Sequence, residues 1–138
     1  MKDFIYIEDL PDFEKSVSEA IALKNNSLKF NSLGQNKSLG MLFFNPSLRT
    51  RLSTQKAAHN LGLKTMIMNF NDEGWKLEFE DGVEMSASSS EHIKEAAAVI
   101  SQYCDMVAIR AFASLNDKKT DESELVLNNF ARFSSVPI

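Results

Sequence analysis

"SLGMLFFNPSLRTRL", residues 38–52, decides how the chain folds. Ser38 to Phe44 is a short apolar run bounded by turn signals, the pattern of a strand buried on both faces. Pro46 and Ser47 interrupt it, and Arg49, Thr50 and Arg51 then stand on the first turn of a helix. Cations there oppose the helix dipole, whose amino end is already partly positive, by about a few tenths of a kcal/mol each. A bound anion resolves the conflict. With Ser47 at the N-cap, the amides of Leu48, Arg49 and Thr50 have no intrahelical acceptor, and aligned amides beside hydroxyls form a phosphate cradle. Arg49 adds a planar fork suited to phosphate oxygens. The plainer alternative is that Ser47 only caps the helix while Arg49 and Arg51 lie in solvent.

Working outward, the pattern alternates. Asp12 to Ser27 reads as an amphipathic helix, with Phe13, Val17, Ala20 and Ile21 near the helical period and Asp12 as N-cap. A turn around Gly34 leads into the opening strand. Arg49 to Leu61 is a helix ended by Gly62, and Thr65 to Phe70 is a second buried strand. Residues 71–90 form a long acidic excursion, in which alternating Trp75, Leu77 and Phe79 suggest a short strand pair. Glu91 to Tyr103 is a helix with Ile93, Ala96, Ala97 and Ile100 inward and Ser90 as N-cap. Met106 to Ile109 is a third buried strand, with Arg110 at its carboxyl end. Asp121 to Phe133 reads as a further helix, interrupted in its apolar pattern by Asn129, and Val136 to Ile138 as the opening of a fourth strand.

Buried strands alternating with helices predict an α/β domain built on a mainly parallel, four-stranded sheet flanked by helices, with Ser38–Phe44 and Met106–Ile109 central. Ligands of such sheets collect beyond the carboxyl ends of the strands. Ser47 and Arg110 both follow strand ends, and Trp75 joins them if its loop folds back.

Composition narrows the classes. A chain of 138 residues with 43% hydrophobic residues and ten phenylalanines carries enough apolar material for one core. A net charge of −4 argues against a nucleic-acid platform, which needs a broad basic surface. The longest apolar runs are too short to span a bilayer, and MKDFIYIEDL lacks a signal-peptide apolar region. The single cysteine, Cys104, excludes an internal disulfide framework and fits a reducing cytoplasm; it reads as core rather than nucleophile. His59 reads as a surface or packing residue, and His92 as a solvated one. No glycine-rich nucleotide loop of the GxGxxG or GxxxxGK[ST] type is present.

Phe43, Ser47, Arg49 and Thr50 resemble the carbamoyl-phosphate signature of the transcarbamylases, F-x-x-x-S-x-R-T. Asn45 stands where an acidic residue or lysine is usual, and Leu48 where glycine or threonine is usual. Those departures are similar to the N-acylornithine branch, as are "RLSTQKAAHNLG", "GWKLEFEDGV" and "CDMVAIRAFA". The resemblance implies transfer of a carbamoyl group from carbamoyl phosphate to an amine, with no metal or organic cofactor. Ser47, the Leu48 amide, Arg49 and Thr50 match positions that hold the phosphate, and Arg110 and Thr50 those that polarise the carbamoyl oxygen. The match at "GWKLE" implies a homotrimer in which Trp75 completes a neighbour's site. Ser90 aligns with a position near the acyl tail of the acceptor, Glu in acetyl-type members and Pro in succinyl-type ones. An uncharged serine there favours N-succinyl-L-ornithine over N-acetyl-L-ornithine.

The His-Pro-x-Gln and His-Cys-Leu-Pro segments of complete transcarbamylases are absent from residues 1–138. The expectation is therefore a carbamoyl-phosphate-binding domain without its acceptor-binding domain, inactive alone and catalytic only within a longer protein. N-acetylornithine or ornithine carbamoyltransferase remains as an alternative enzyme. A non-catalytic, phosphate-binding oligomeric module is the alternative of another class.

Overall fold

The computed structural model describes residues 3–70, 75–79, 82, 91–113 and 115–138. Strand β1 (Ser38–Phe43) lies at the centre of a parallel sheet, between β2 (Lys64–Asn69) and β5 (Met106–Arg110). Helices α1 (Phe13–Asn25), α2 (Leu48–Leu61), α3 (Ile93–Tyr103), α4 (Lys118–Glu122) and α5 (Leu125–Phe133) complete the α/β architecture. Two-residue strands β3 (Leu77–Glu78) and β4 (Glu91–His92) pair in parallel as a separate small sheet. Of the strand pair expected within residues 71–90, only β3 lies there; its partner β4 comes from the first two residues of the expected third helix.

All six residues of β1 are buried, because the strand's period of two sends alternate side chains into two cores. Leu39, Met41 and Phe43 pack with Ala58 of α2 on one face. Leu42 packs on the other face with Ile93, Ala96, Ala97 and Ile100 of α3, Val107 of β5 and Phe130 of α5. The four α3 residues read as inward from sequence are the four that are buried. Asp12 caps α1 by accepting the Lys15 N–H, and Gly62 ends α2 in the left-handed region at φ 83°.

Several expectations change. The described sheet has three strands rather than four, and β5 is its edge, not its centre. Beyond β5, Val107 donates its N–H to the Pro137 carbonyl at 2.9 Å, but proline has no N–H to return. Strand β2 is also an edge, and it is half-buried rather than buried, with Met66 at 42% exposure. The apolar stripe of α1 is exposed: none of that helix is buried, and Phe13, Val17 and Ile21 face solvent in this chain.

Helix α3 starts later than expected because Glu91 and His92 pair with β3, so its cap is His92, whose Nδ1 accepts the Lys94 N–H at 3.1 Å. His92 is therefore a capping residue rather than a merely solvated one, and it holds the N-cap place expected of Ser90, which lies outside the described residues. The helix expected over Asp121–Phe133 divides in two at Glu124, which takes φ 46°.

The order β2–β1–β5 carries the fold's functional consequence. From β1 the chain crosses to one side through α2, then returns to the other side through α3. Parallel sheets open a crevice at the carboxyl ends of the strands where such a reversal occurs. Here that point is the end of β1 beside the end of β5.

Candidate functional site

Both flanks of this crevice carry the residues singled out from sequence. On the β1 side the turn Phe44–Pro46 delivers Ser47 to the N-cap of α2, where its Oγ accepts the Thr50 N–H at 3.2 Å. The cap uses one of the three orphan amides, leaving those of Leu48 and Arg49 without an acceptor among the described residues. Leu48 and Arg49 are exposed, and Ser47 and Thr50 are partly buried. No carboxylate among the described residues pairs with Arg49. The positive end of α2 and an unneutralised guanidinium therefore face the same open space.

On the β5 side Arg110 reaches across to this turn. Its Nη1 donates to Thr50 Oγ1 at 2.8 Å, joining residues 60 positions apart. The pairing register brings the two within reach, since Phe43 lies opposite Arg110 in the ladder. The guanidinium also sits over the Phe112 ring, 4.0 Å from its centroid, while its Nε is buried with no acceptor among the described residues. A buried, unpaired donor on a cation is costly unless something later accepts from it. The structure thus brings Ser47, Arg49, Thr50 and Arg110 to one crevice as hydroxyls, free amides and two guanidinium groups, an arrangement suited to an oxyanion.

Two neighbours escaped the sequence reading. Asn45 Oδ1 accepts the Phe112 N–H at 2.7 Å, tying the loop after β1 to the loop after β5. Phe112 itself carries a usable signal, because residues two apart on extended backbone share a side and Phe112 is two beyond Arg110. Asn45 is visible in sequence only as a departure from a pattern.

Trp75 lies elsewhere. It is half-exposed, donates its indole N–H to Glu91 Oε2 at 3.2 Å, and tilts against Phe70 with ring centroids 6.4 Å apart. With Met66, Met68, Val99 and Tyr103 it lines an apolar cavity of about 290 Å³ between β2 and α3, to which none of Ser47, Thr50 and Arg110 contributes. Ser90 falls outside the described residues, as do most of the acidic positions of the excursion. Cys104 is buried in the core. Burial, and secondarily the Asp105 charge, push its thiol pKa up, so it stays a protonated core residue. His59 is exposed on α2. Among the described residues no group of histidine, cysteine and carboxylate side chains is placed to hold a metal, and no helix is long and apolar enough to cross a membrane.

Residues 2–138 match the family model described as aspartate/ornithine carbamoyltransferase, carbamoyl-P binding domain. The chain belongs to this family. Over its whole length it is 44% identical to an N-succinylornithine carbamoyltransferase of Bacteroides thetaiotaomicron, and 36% identical to an N-acetylornithine carbamoyltransferase of Xylella fastidiosa. It spans 43% and 41% of those two proteins, less than half of each. A crystal structure of acetylornithine transcarbamylase complexed with acetylcitrulline superposes on 99% of the chain with a TM-score of 0.89 at 34% identity, the chain covering 41% of it. The transcarbamylase resemblance read from Phe43, Ser47, Arg49 and Thr50 is thus borne out at the level of family and fold.

Proposed function

We propose that this chain is the carbamoyl-phosphate-binding part of an N-acylornithine carbamoyltransferase. Within the complete protein it would transfer the carbamoyl group to the δ-amine of N-succinyl-L-ornithine, giving N-succinyl-L-citrulline and phosphate in arginine biosynthesis. The observation that carries this reading is the bond from Arg110 Nη1 to Thr50 Oγ1, which closes the crevice around the α2 amino terminus. The higher identity to the N-succinylornithine enzyme than to the N-acetylornithine one supports the succinyl acceptor.

In this assignment Ser47, the free amides of Leu48 and Arg49, and the Arg49 guanidinium hold the phosphate. Arg110 and Thr50 meet the carbamoyl oxygen. The neutral acceptor amine attacks the carbonyl carbon, negative charge grows on its oxygen beside Arg110 and the Thr50 hydroxyl, and the C–O bond to phosphate breaks, the leaving phosphate taking the proton that the amine gives up. Phosphate departs into amides and cations already oriented for it. Positioning and fixed electrostatics then supply most of the rate. Trp75, held away from this crevice in its own chain, belongs to the reading as a residue serving a neighbour's site in a homotrimer.

The test is product formation by the complete protein from carbamoyl phosphate with N-succinyl-L-ornithine, N-acetyl-L-ornithine or L-ornithine, measured as the ureido product. The expected order of kcat/KM puts the succinyl acceptor first, and an acetyl preference would overturn the acceptor assignment. The 138-residue chain by itself should bind carbamoyl phosphate weakly and turn nothing over. Binding by the complete protein with no product from any acceptor would leave the non-catalytic phosphate-binding module as the correct reading.

A further inference from the structure

We propose that Phe112 and Asn45 are positioning residues, which hold the Arg110 guanidinium in the orientation that presents it to the crevice; the proposal rests on the reading of that crevice as the carbamoyl-phosphate site. Arginine side chains at strand ends have many rotamers, and ordering one costs conformational entropy. Among the described residues Arg110 has one neutral acceptor, Thr50 Oγ1, and no carboxylate partner. One hydrogen bond does not define the plane of a guanidinium. The Phe112 ring, 4.0 Å away, supplies the second constraint, because the face of an aromatic ring attracts a cation and excludes water from one side of it.

Phe112 is itself an unusual support, since it is 62% exposed and belongs to neither buried core. Burial therefore does not explain where it sits. Its backbone does: Asn45 Oδ1 accepts the Phe112 N–H, so the turn that delivers Ser47 also anchors the loop that carries the ring. The result is a closed circuit from Asn45 to Phe112, Arg110 and Thr50 and back along the α2 turn. A neutral amide suits the Asn45 position. It accepts the N–H without placing a full negative charge beside a site for an anion, as a carboxylate would, and a lysine has no acceptor to offer.

The experiment compares the complete protein with its Phe112→Leu, Phe112→Tyr and Asn45→Ala variants. Carbamoyl-phosphate affinity is measured by calorimetry, and the Arg110 pose by crystal structures of the parent and of Phe112→Leu. Phe112→Leu should weaken carbamoyl phosphate about tenfold, the scale of a partly desolvated cation–ring contact. It should also release Arg110 from Thr50 while leaving the melting temperature within a degree or two, because so little of Phe112 is buried. Phe112→Tyr, which keeps the ring face, should restore affinity to within about twofold. Asn45→Ala should fall between them. An unchanged Arg110 pose, or unchanged carbamoyl-phosphate affinity in Phe112→Leu, overturns the proposal. A parent that binds no carbamoyl phosphate overturns the reading of the site instead, and the two crystal poses still decide whether Phe112 positions Arg110.

Discussion

Arg51 lies over the ring of Phe43, its guanidinium carbon 4.6 Å from the centroid, and bonds through Nη2 to Asn69 Oδ1. Arg49, two residues earlier, has no partner among the described residues and is exposed at the mouth of the crevice. One turn of helix thus carries two arginines with opposite duties, one bracing the ends of β1 and β2, the other available to a ligand. In the complete protein Arg49→Ala should weaken carbamoyl phosphate by about 1.5–3 kcal/mol, the range for hydrogen bonds to charged groups. Arg51→Ala should cost less affinity and more thermal stability. Calorimetric titration and melting curves of both variants check this, and equal losses of affinity would contradict the division.

A second prediction concerns acid. The Asp105 carboxylate accepts the Ser38 N–H at 2.7 Å and the Ser38 hydroxyl at 3.1 Å, stapling the start of β1 to the residue before β5. The Ser38 backbone bond first, and its hydroxyl second, hold the Asp105 pKa below its ordinary 3.8. A depressed carboxylate contributes stability that is present above the unfolded pKa and is lost as pH falls through the folded one. Stability should therefore decline below about pH 4 more steeply in the parent than in Asp105→Asn. Chemical denaturation at a series of pH values measures the two slopes, and parallel slopes would remove Asp105 from the account.

A third follows from packing at Gly40. A Cβ built there would stand 2.9 Å from Cys104 Sγ and 3.6 Å from Met68 Cε. Gly40→Ala should destabilise the chain by about 1–3 kcal/mol, as overpacked cores do. Cys104→Ala should cost stability alone yet recover part of that loss in the double variant, since the two sites share one volume. Strictly additive effects in urea unfolding would show that the backbone, not the thiol, absorbs the methyl group.

The fourth tests the acceptor. The transcarbamylase resemblance implies that position 90 lies near the acyl tail; a glutamate there would then set a like charge at ~4 Å from a succinyl carboxylate, which costs about a few kcal/mol at a near-surface effective dielectric. Ser90→Glu in the complete protein should move the kcat/KM ratio towards N-acetyl-L-ornithine by about tenfold or more, ~1.4 kcal/mol. A ratio that stays put would remove Ser90 as the discriminator.

What could be read from sequence was what local periodicity records. The unbroken apolar run of β1, the three- and four-residue spacing of Ile93, Ala96, Ala97 and Ile100, and Asp12 and Gly62 as punctuation all led to the observed elements. The crevice was legible for the same reason, because Ser47 and Arg110 are fixed by the ends of strands. The errors arose where tertiary pairing overrides local preference. Serine is the better cap in isolation, yet the β3–β4 pairing carries the chain two residues further and gives the cap to His92. The left-handed Glu124 interrupts a helical pattern with no glycine or asparagine at that position to announce it. Whether an apolar strand is central or marginal depends on its neighbours, so TMIMNF could not disclose that Met66 would be exposed.

The contact between Thr50 and Arg110 also orders events in time. Ser47 and Thr50 meet within a single helical turn, so that half of the crevice can form as soon as α2 does, on the sub-microsecond scale of helix formation. Arg110 arrives only after β5 has paired in parallel with β1, closing a loop of more than sixty residues through two intervening helices. Such non-local pairings are the slow steps of folding, because chain entropy is lost before the contact repays it. A nascent chain would thus gain the α2 half of its crevice early and the Arg110 half late. Recovery of carbamoyl-phosphate binding during refolding would then lag the recovery of helical signal.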